Sequence, residues 1–181
     1  MKLMDRNETL FLAIDFQERL LPAMHEHQVL EDKICRLAKG MKKLGIPHIV
    51  TQQYTKGIGE TVPSVAEAIG KFTHAEKTSF SCFGSEEFVK QFEAADKDTI
   101  VACGIEAHIC LQQTVIELLA KGYRVYVPAD CTSSRSQEDK ERSLARMMNA
   151  GAIVTTYEAI LYELVRDAKA EEFKAISKIV K

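Results

Sequence analysis

The chain of 181 residues lacks any apolar run near the roughly 20 residues that a membrane span needs. At its start, Leu3 and Met4 are followed at once by Asp5, Arg6 and Glu8, too short an apolar stretch for a signal peptide. It lacks an excess of either charge: 24 Lys and Arg face 26 Asp and Glu, interspersed, with a formal net charge of −2. That balance argues against a nucleic-acid partner. Its five cysteines (Cys35, Cys82, Cys103, Cys110, Cys131) are odd in number and form no C-x-x-C pair. A disulfide framework and a thioredoxin-like redox pair are both disfavoured, and a reducing, cytoplasmic setting fits. There is no internal repeat, no low-complexity segment and no Pro/Gly/Ser-rich linker. With 46% hydrophobic residues, 1–181 reads as a single domain able to bury a sizeable core.

What is present alternates. Strand-like apolar segments fall at 9–15, 46–52, 72–76, 98–104, 123–128 and 152–156. Between them, 30–44 carries Leu30, Ile34, Leu37, Met41 and Leu44 at helical spacing, 85–95 opens on Ser85, 137–150 stops at Gly151, and a helix after Cys110 ends at Gly122. Such alternation predicts an α/β fold with a parallel sheet covered on both faces.

The most informative stretch is TIVACGIEAHICLQQTVIELLAKG, residues 99–122. An apolar strand ends in Gly104, the chain turns through five residues, and Cys110 arrives at the start of a helix. A thiol there meets unpaired backbone N–H groups and the positive end of the helix dipole, which favour the thiolate. A free cysteine is more often a small buried hydrophobe. Two charged residues shift the balance. Asp15 closes the apolar run at 10–14, and Lys77 in KFTHAEKTSFSCFG closes another short strand-like segment. In an open parallel sheet the carboxyl ends of the strands share one edge, where ligands bind. An acid, a cation and a thiol would converge there.

Asp15 in AIDFQ, Lys77 in EKTSFS and Cys110 in GIEAHICLQQT occur in the order and at the spacing of the isochorismatase-like cysteine hydrolase superfamily, which the chain resembles from about Leu10 to about Tyr157. VPADCTSSRS at 127–136 extends the likeness. TQQYTKGIGETVPSV most resembles isochorismatase-domain-containing proteins of unsettled substrate. The resemblance implies a three-layer α/β/α Rossmann-like fold with a six-stranded parallel sheet ordered 3-2-1-4-5-6, and a homo-oligomer. It also implies a hydrolase that cleaves a C–N bond of a small amide or ureide without a cofactor. Cys110 would be the nucleophile, Asp15 the general base and then acid, and Lys77 the neighbouring cation that favours the thiolate. Backbone N–H groups of Glu106 and Cys110 would form the oxyanion hole, with a cis peptide between Ile105 and Glu106.

The sequence departs from nicotinamidases twice. Glu106 stands where they carry Ala, and an Asp-x-His with a further His after the second strand is absent, so no metal site is expected. His25 and His27 in MHEHQ are two apart and do not share a helix face. Phe16, Gln17, Gln53, Tyr54, Phe80 and His108 are candidate substrate-binding residues, the aromatics as an apolar wall and the glutamines as polar fixtures. Cys82 and Cys131 read as structural, and Arg135 as an ion-pair or solvated residue. Two other readings stay open. A haloacid-dehalogenase-like phosphotransferase would need a second acid at Gln17, and a catalytically silent metabolite-binding or protein-interaction module could use the same fold.

Overall fold

A computed structural model describes residues 2–181. Six parallel strands form one sheet: β1 (Thr9–Ile14), β2 (His48–Gln53), β3 (Ala75–Lys77), β4 (Thr99–Gly104), β5 (Arg124–Pro128) and β6 (Ile153–Thr155), in the order β3-β2-β1-β4-β5-β6. The helices are α1 (His27–Lys43), α2 (Thr55–Ile58), α3 (Pro63–Ile69), α4 (Glu86–Ala95), α5 (Gln112–Ala120), α6 (Gln137–Asn149), α7 (Tyr157–Val165) and α8 (Phe173–Val180).

Strand parity explains the three layers. Successive side chains of a strand point to opposite faces, and β1 is buried along its whole length. Leu10, Leu12 and Ile14 join a cluster with Phe88 and Phe92 of α4, Val115 and Leu118 of α5, and Met147 of α6. Phe11 and Ala13 join the opposite cluster with Ile34 and Leu37 of α1, Val65 of α3, Leu161 of α7 and Ile176 of α8. A strand with both faces covered must be continuously apolar, as β1 is.

Two differences from the sequence reading matter. The third strand is Ala75–Lys77 and not 72–76, because it pairs only with Thr51–Gln53 at the end of β2; Lys77 therefore lies within the strand. The helices α2, α3, α7 and α8 have no counterpart among the segments read from periodicity. At the centre, Gly104 pairs with Ile14. A Cβ on Gly104 would lie 2.5 Å from Ile14 Cβ and 2.6 Å from Ile14 O, so only glycine lets the ends of β1 and β4 close up. That approach sets the segments after both strands side by side.

Candidate active site

Asp15 leaves β1 in a left-handed conformation (φ 57°), which few non-glycine residues adopt, though Asp tolerates it better than most. It is held there by its neighbours on β2. Its amide donates to Thr51 O (3.2 Å), and Oδ1 accepts from Thr51 Oγ1 (2.7 Å). Oδ2 lies 2.6 Å from Lys77 Nζ in an ion pair whose side chains are both fully buried. The ammonium also donates to Gln53 Oε1 (2.6 Å), Ser79 O (3.3 Å) and Phe80 O (3.4 Å). Among the described residues Asp15 Oδ2 has no neutral hydrogen-bond donor; its partner is the Lys77 ammonium. Burial pulls the Lys77 ammonium downward, but the negative charge of Asp15, with the Cys110 and Cys82 thiols beyond it, holds its pKa above the usual lysine range.

Cys110 sits in a turn of π-helix, Ala107–Leu111, that leads into α5. Glu106 O accepts from Ile109 N (3.1 Å) and, in the wider π pattern, from Leu111 N (3.3 Å). The turn is clamped at Ala107, whose amide donates to Ser133 O (2.8 Å) and whose carbonyl accepts from Ser143 Oγ (2.7 Å). Cys110 O accepts from Thr114 Oγ1 (2.8 Å). The thiol is pushed up to about 12, first by burial and then by the Asp15 carboxylate, with Lys77 pulling the other way. Burial and the like charge of Asp15 work against the thiolate, and the Lys77 cation works for it.

An isochorismatase domain model matches residues 9–159. The chain belongs to the isochorismatase family. Isochorismatase domain-containing protein 2 of Xenopus laevis is 41% identical over 180 residues, covering 99% of this chain and 86% of that protein. Among solved structures, MAR1 ribonuclease from Caenorhabditis elegans superposes with a TM-score of 0.92 at 32% identity, covering 99% of this chain and 92% of that one. The YcaC protein of Escherichia coli, described as an octameric hydrolase of unknown specificity, shares the fold with a TM-score of 0.93 at 21% identity, over 99% and 89% of the two chains. The chain thus has the hydrolase-type fold of the isochorismatase family.

Around the isochorismatase-family core, the outer candidate residues separate by what they touch. The Ile105–Glu106 peptide is cis, and Glu106 turns its carboxylate to Arg135, accepting from Nε (2.9 Å) and from the backbone N (3.2 Å). His108 shares a 2.8 Å hydrogen bond between Nδ1 and Ser134 Oγ. Tyr54 and Phe80 stand at the rim, 51% and 55% exposed, next to Lys77: Tyr54 N donates to Lys77 O (2.9 Å). Three candidates have other work. Phe16 is a core residue on the α1 side, too deep to wall a cleft. Gln17 is buried, donating to Gln53 O (3.0 Å) and Gly59 O (2.7 Å) and accepting from Gln53 N (2.7 Å), so its amide braces backbone. Gln53 accepts from Lys77 Nζ and donates to Thr78 O (2.8 Å), which makes it a support for the cation.

One residue at the cluster escaped sequence reasoning, and Cys82, read as structural, lies beside it. Thr51 is the partner of Asp15 described above. Cys82, fully buried, has its thiol pushed up to about 12 by burial and by Asp15, and its amide donates to Thr114 Oγ1 (3.1 Å). Among the described residues no three His, Cys, Asp or Glu side chains converge as a metal site. The wide surface cavities lie elsewhere. One of about 420 Å³ is lined by Met4, Arg6, Leu44 and Arg166, and one of about 550 Å³ by Lys2, Asp98, Lys121 and Arg124. Neither touches Asp15, Lys77 or Cys110, and both are shallow depressions without a nucleophile, so chemistry and not cavity size marks the site.

Proposed function

We propose that the chain is a cysteine hydrolase that opens the C–N bond of a small amide or ureide through a covalent Cys110 intermediate. The observation that carries this reading is a fully buried Asp15 carboxylate paired with the Lys77 ammonium at 2.6 Å, with the buried Cys110 thiol in the field of both charges. A carboxylate so placed can take a thiol proton.

In the first step the Cys110 proton passes to Asp15 Oδ2 while Sγ bonds to the carbonyl carbon. The developing oxyanion is met by the backbone amides of Glu106 and Cys110. The C–N bond then breaks, Asp15 returns the proton to the departing nitrogen, and a thioester remains. Water gives a proton to Asp15 and its oxygen to the carbon; the C–S bond breaks, and Sγ regains the proton. Lys77 keeps the pair electrically balanced throughout. Tyr54 and Phe80 form the rim of the entrance and His108 lines it. The small-molecule substrate needs neither cofactor nor metal in this scheme.

The ribonuclease name of the Caenorhabditis elegans relative is a different chemistry. Here Lys77 is committed to Asp15 and Gln53. The octameric state of the Escherichia coli protein supports a homo-oligomer here. We read 1–181 as one domain, and its five free cysteines suit a reducing cytoplasm. The test is incubation with small amides and aldehydes followed by peptide mass spectrometry. An adduct confined to Cys110 supports the mechanism; modification spread over the cysteines, or none, overturns it.

A further inference from the structure

Asp15 has two oxygens with different partners. Oδ1 accepts from the neutral Thr51 hydroxyl at 2.7 Å, whereas Oδ2 faces the Lys77 ammonium at 2.6 Å with no neutral donor on it. Thr51 occupies an unusual place for a hydroxyl. It has the strand parity of Ile49, whose side chain lies in the apolar cluster under α4 and α5, and Thr51 itself is fully buried. A buried hydroxyl among apolar side chains must find a partner, and here the partner is the carboxylate. The same residue holds Asp15 by the backbone, through Asp15 N to Thr51 O, next to the Ile14 and Thr51 register pair. Main chain and side chain of one β2 residue therefore fix the orientation of a carboxylate whose own backbone is left-handed.

We propose that Thr51 is a positioning residue for the base, and that its hydroxyl makes Oδ2, not Oδ1, the oxygen that takes the Cys110 proton. The proposal rests on the cysteine-hydrolase reading above. The ionisable groups facing this carboxylate are Lys77 from β3, Cys82 from the turn after it and Cys110 from the turn after β4. Lys77 meets Oδ2, and Thr51 is the hydroxyl hydrogen-bonded to Oδ1. Without the hydroxyl, the carboxylate can rotate about its Cα–Cβ and Cβ–Cγ bonds, and Oδ1 is left buried without a donor.

The test uses 4-nitrophenyl acetate as probe. Attack by Sγ forms S-acetyl-Cys110, the aryl C–O bond breaks to release 4-nitrophenolate, and the thiol proton is left on Asp15. Water then cleaves the thioester to acetate and restores the thiol. Three variants are compared with the natural chain by burst and steady-state rates: Thr51→Val, which keeps the shape and removes the hydroxyl; Thr51→Ser, which keeps the hydroxyl; and Asp15→Asn. Thr51→Val should lose about 10- to 100-fold in kcat with KM for the ester within about twofold, as a misplaced catalytic group acts on the transition state. Thr51→Ser should stay within about threefold of the natural chain. A purely structural role would slow both variants alike, and that result would overturn the proposal. So would a Thr51→Val chain as fast as the natural one while Asp15→Asn is inactive, which leaves the cysteine-hydrolase reading standing. No burst from the natural chain, or full activity in Asp15→Asn, overturns that reading and the Thr51 assignment with it. Should Thr51→Val fail to fold, Thr51→Ala against Thr51→Ser gives the same comparison of hydroxyl with none.

Discussion

Two ion pairs lie along the carboxyl edge of the sheet, and they could hardly differ more in surroundings. Asp15 and Lys77 are both fully buried at 2.6 Å, while Glu106 and Arg135, at 2.9 Å, leave the arginine side chain 65% exposed. In water-filled surroundings a pair contributes little, because solvent and salt screen it. In the interior each charge depends on the other, since neither has water to fall back on. The buried pair therefore stands or falls together, and the rim pair is a local tether between Glu106 and Arg135.

The sharpest way to break the comparison is at its reacting atoms. Cys110→Ala should lose at least about a thousandfold in turnover of any amide or ester the chain hydrolyses, with the fold retained by circular dichroism, because a covalent step cannot proceed without Sγ. Near-natural rates would remove the covalent mechanism. Next comes the buried pair itself. Lys77→Met leaves Asp15 charged and alone, and chemical denaturation should show a loss of about 3 to 5 kcal/mol. A loss no larger than that of a surface lysine would mean that water reaches the site.

The same variant should also slow Cys110. Asp15 raises and Lys77 lowers the thiol, so Lys77→Met slows iodoacetamide labelling at neutral pH and Asp15→Asn speeds it, although both abolish turnover. Peptide-resolved labelling measures this, and parallel shifts in the two variants would place the thiol outside their field. In the natural chain, labelling of Cys110 should keep rising about tenfold per pH unit from 7 to 10, because a thiol pushed up to about 12 is still far from half-ionised there. A plateau near pH 8 would contradict that environment. Smallest of all, Arg135→Ala should leave the unfolding midpoint where it is, since its guanidinium is largely in solvent.

Much of this was legible in the residues. Leu10, Phe11, Leu12, Ala13 and Ile14 announce a strand buried on both faces, and an acid at its end is conspicuous. Cys110 stands out for the same reason, placed between an apolar strand and an amphipathic helix. Thr51 was invisible because a β-branched residue is what any strand prefers, so its hydroxyl carries no signal until Asp15 is seen opposite. Gln17 and Gln53 misled because an amide that braces backbone and an amide that binds substrate are the same residue in a sequence. The π-turn at Ala107–Leu111 has no periodicity of its own to read. The raised Cys110 thiol follows from burial depth, which no local pattern encodes.

The clamp on Ala107 has a consequence for the order in which the molecule assembles. Both polar groups of that residue are held by Ser133 and Ser143, which lie 26 and 36 positions further along the chain. Closing the nucleophile's turn therefore takes both the Ser133 segment and α6 in place, non-local contacts that carry a loop-closure penalty. Hydrogen exchange at the Ala107 amide consequently reports the opening of the Ser133 segment more directly than that of β4, the strand nearest to it in sequence.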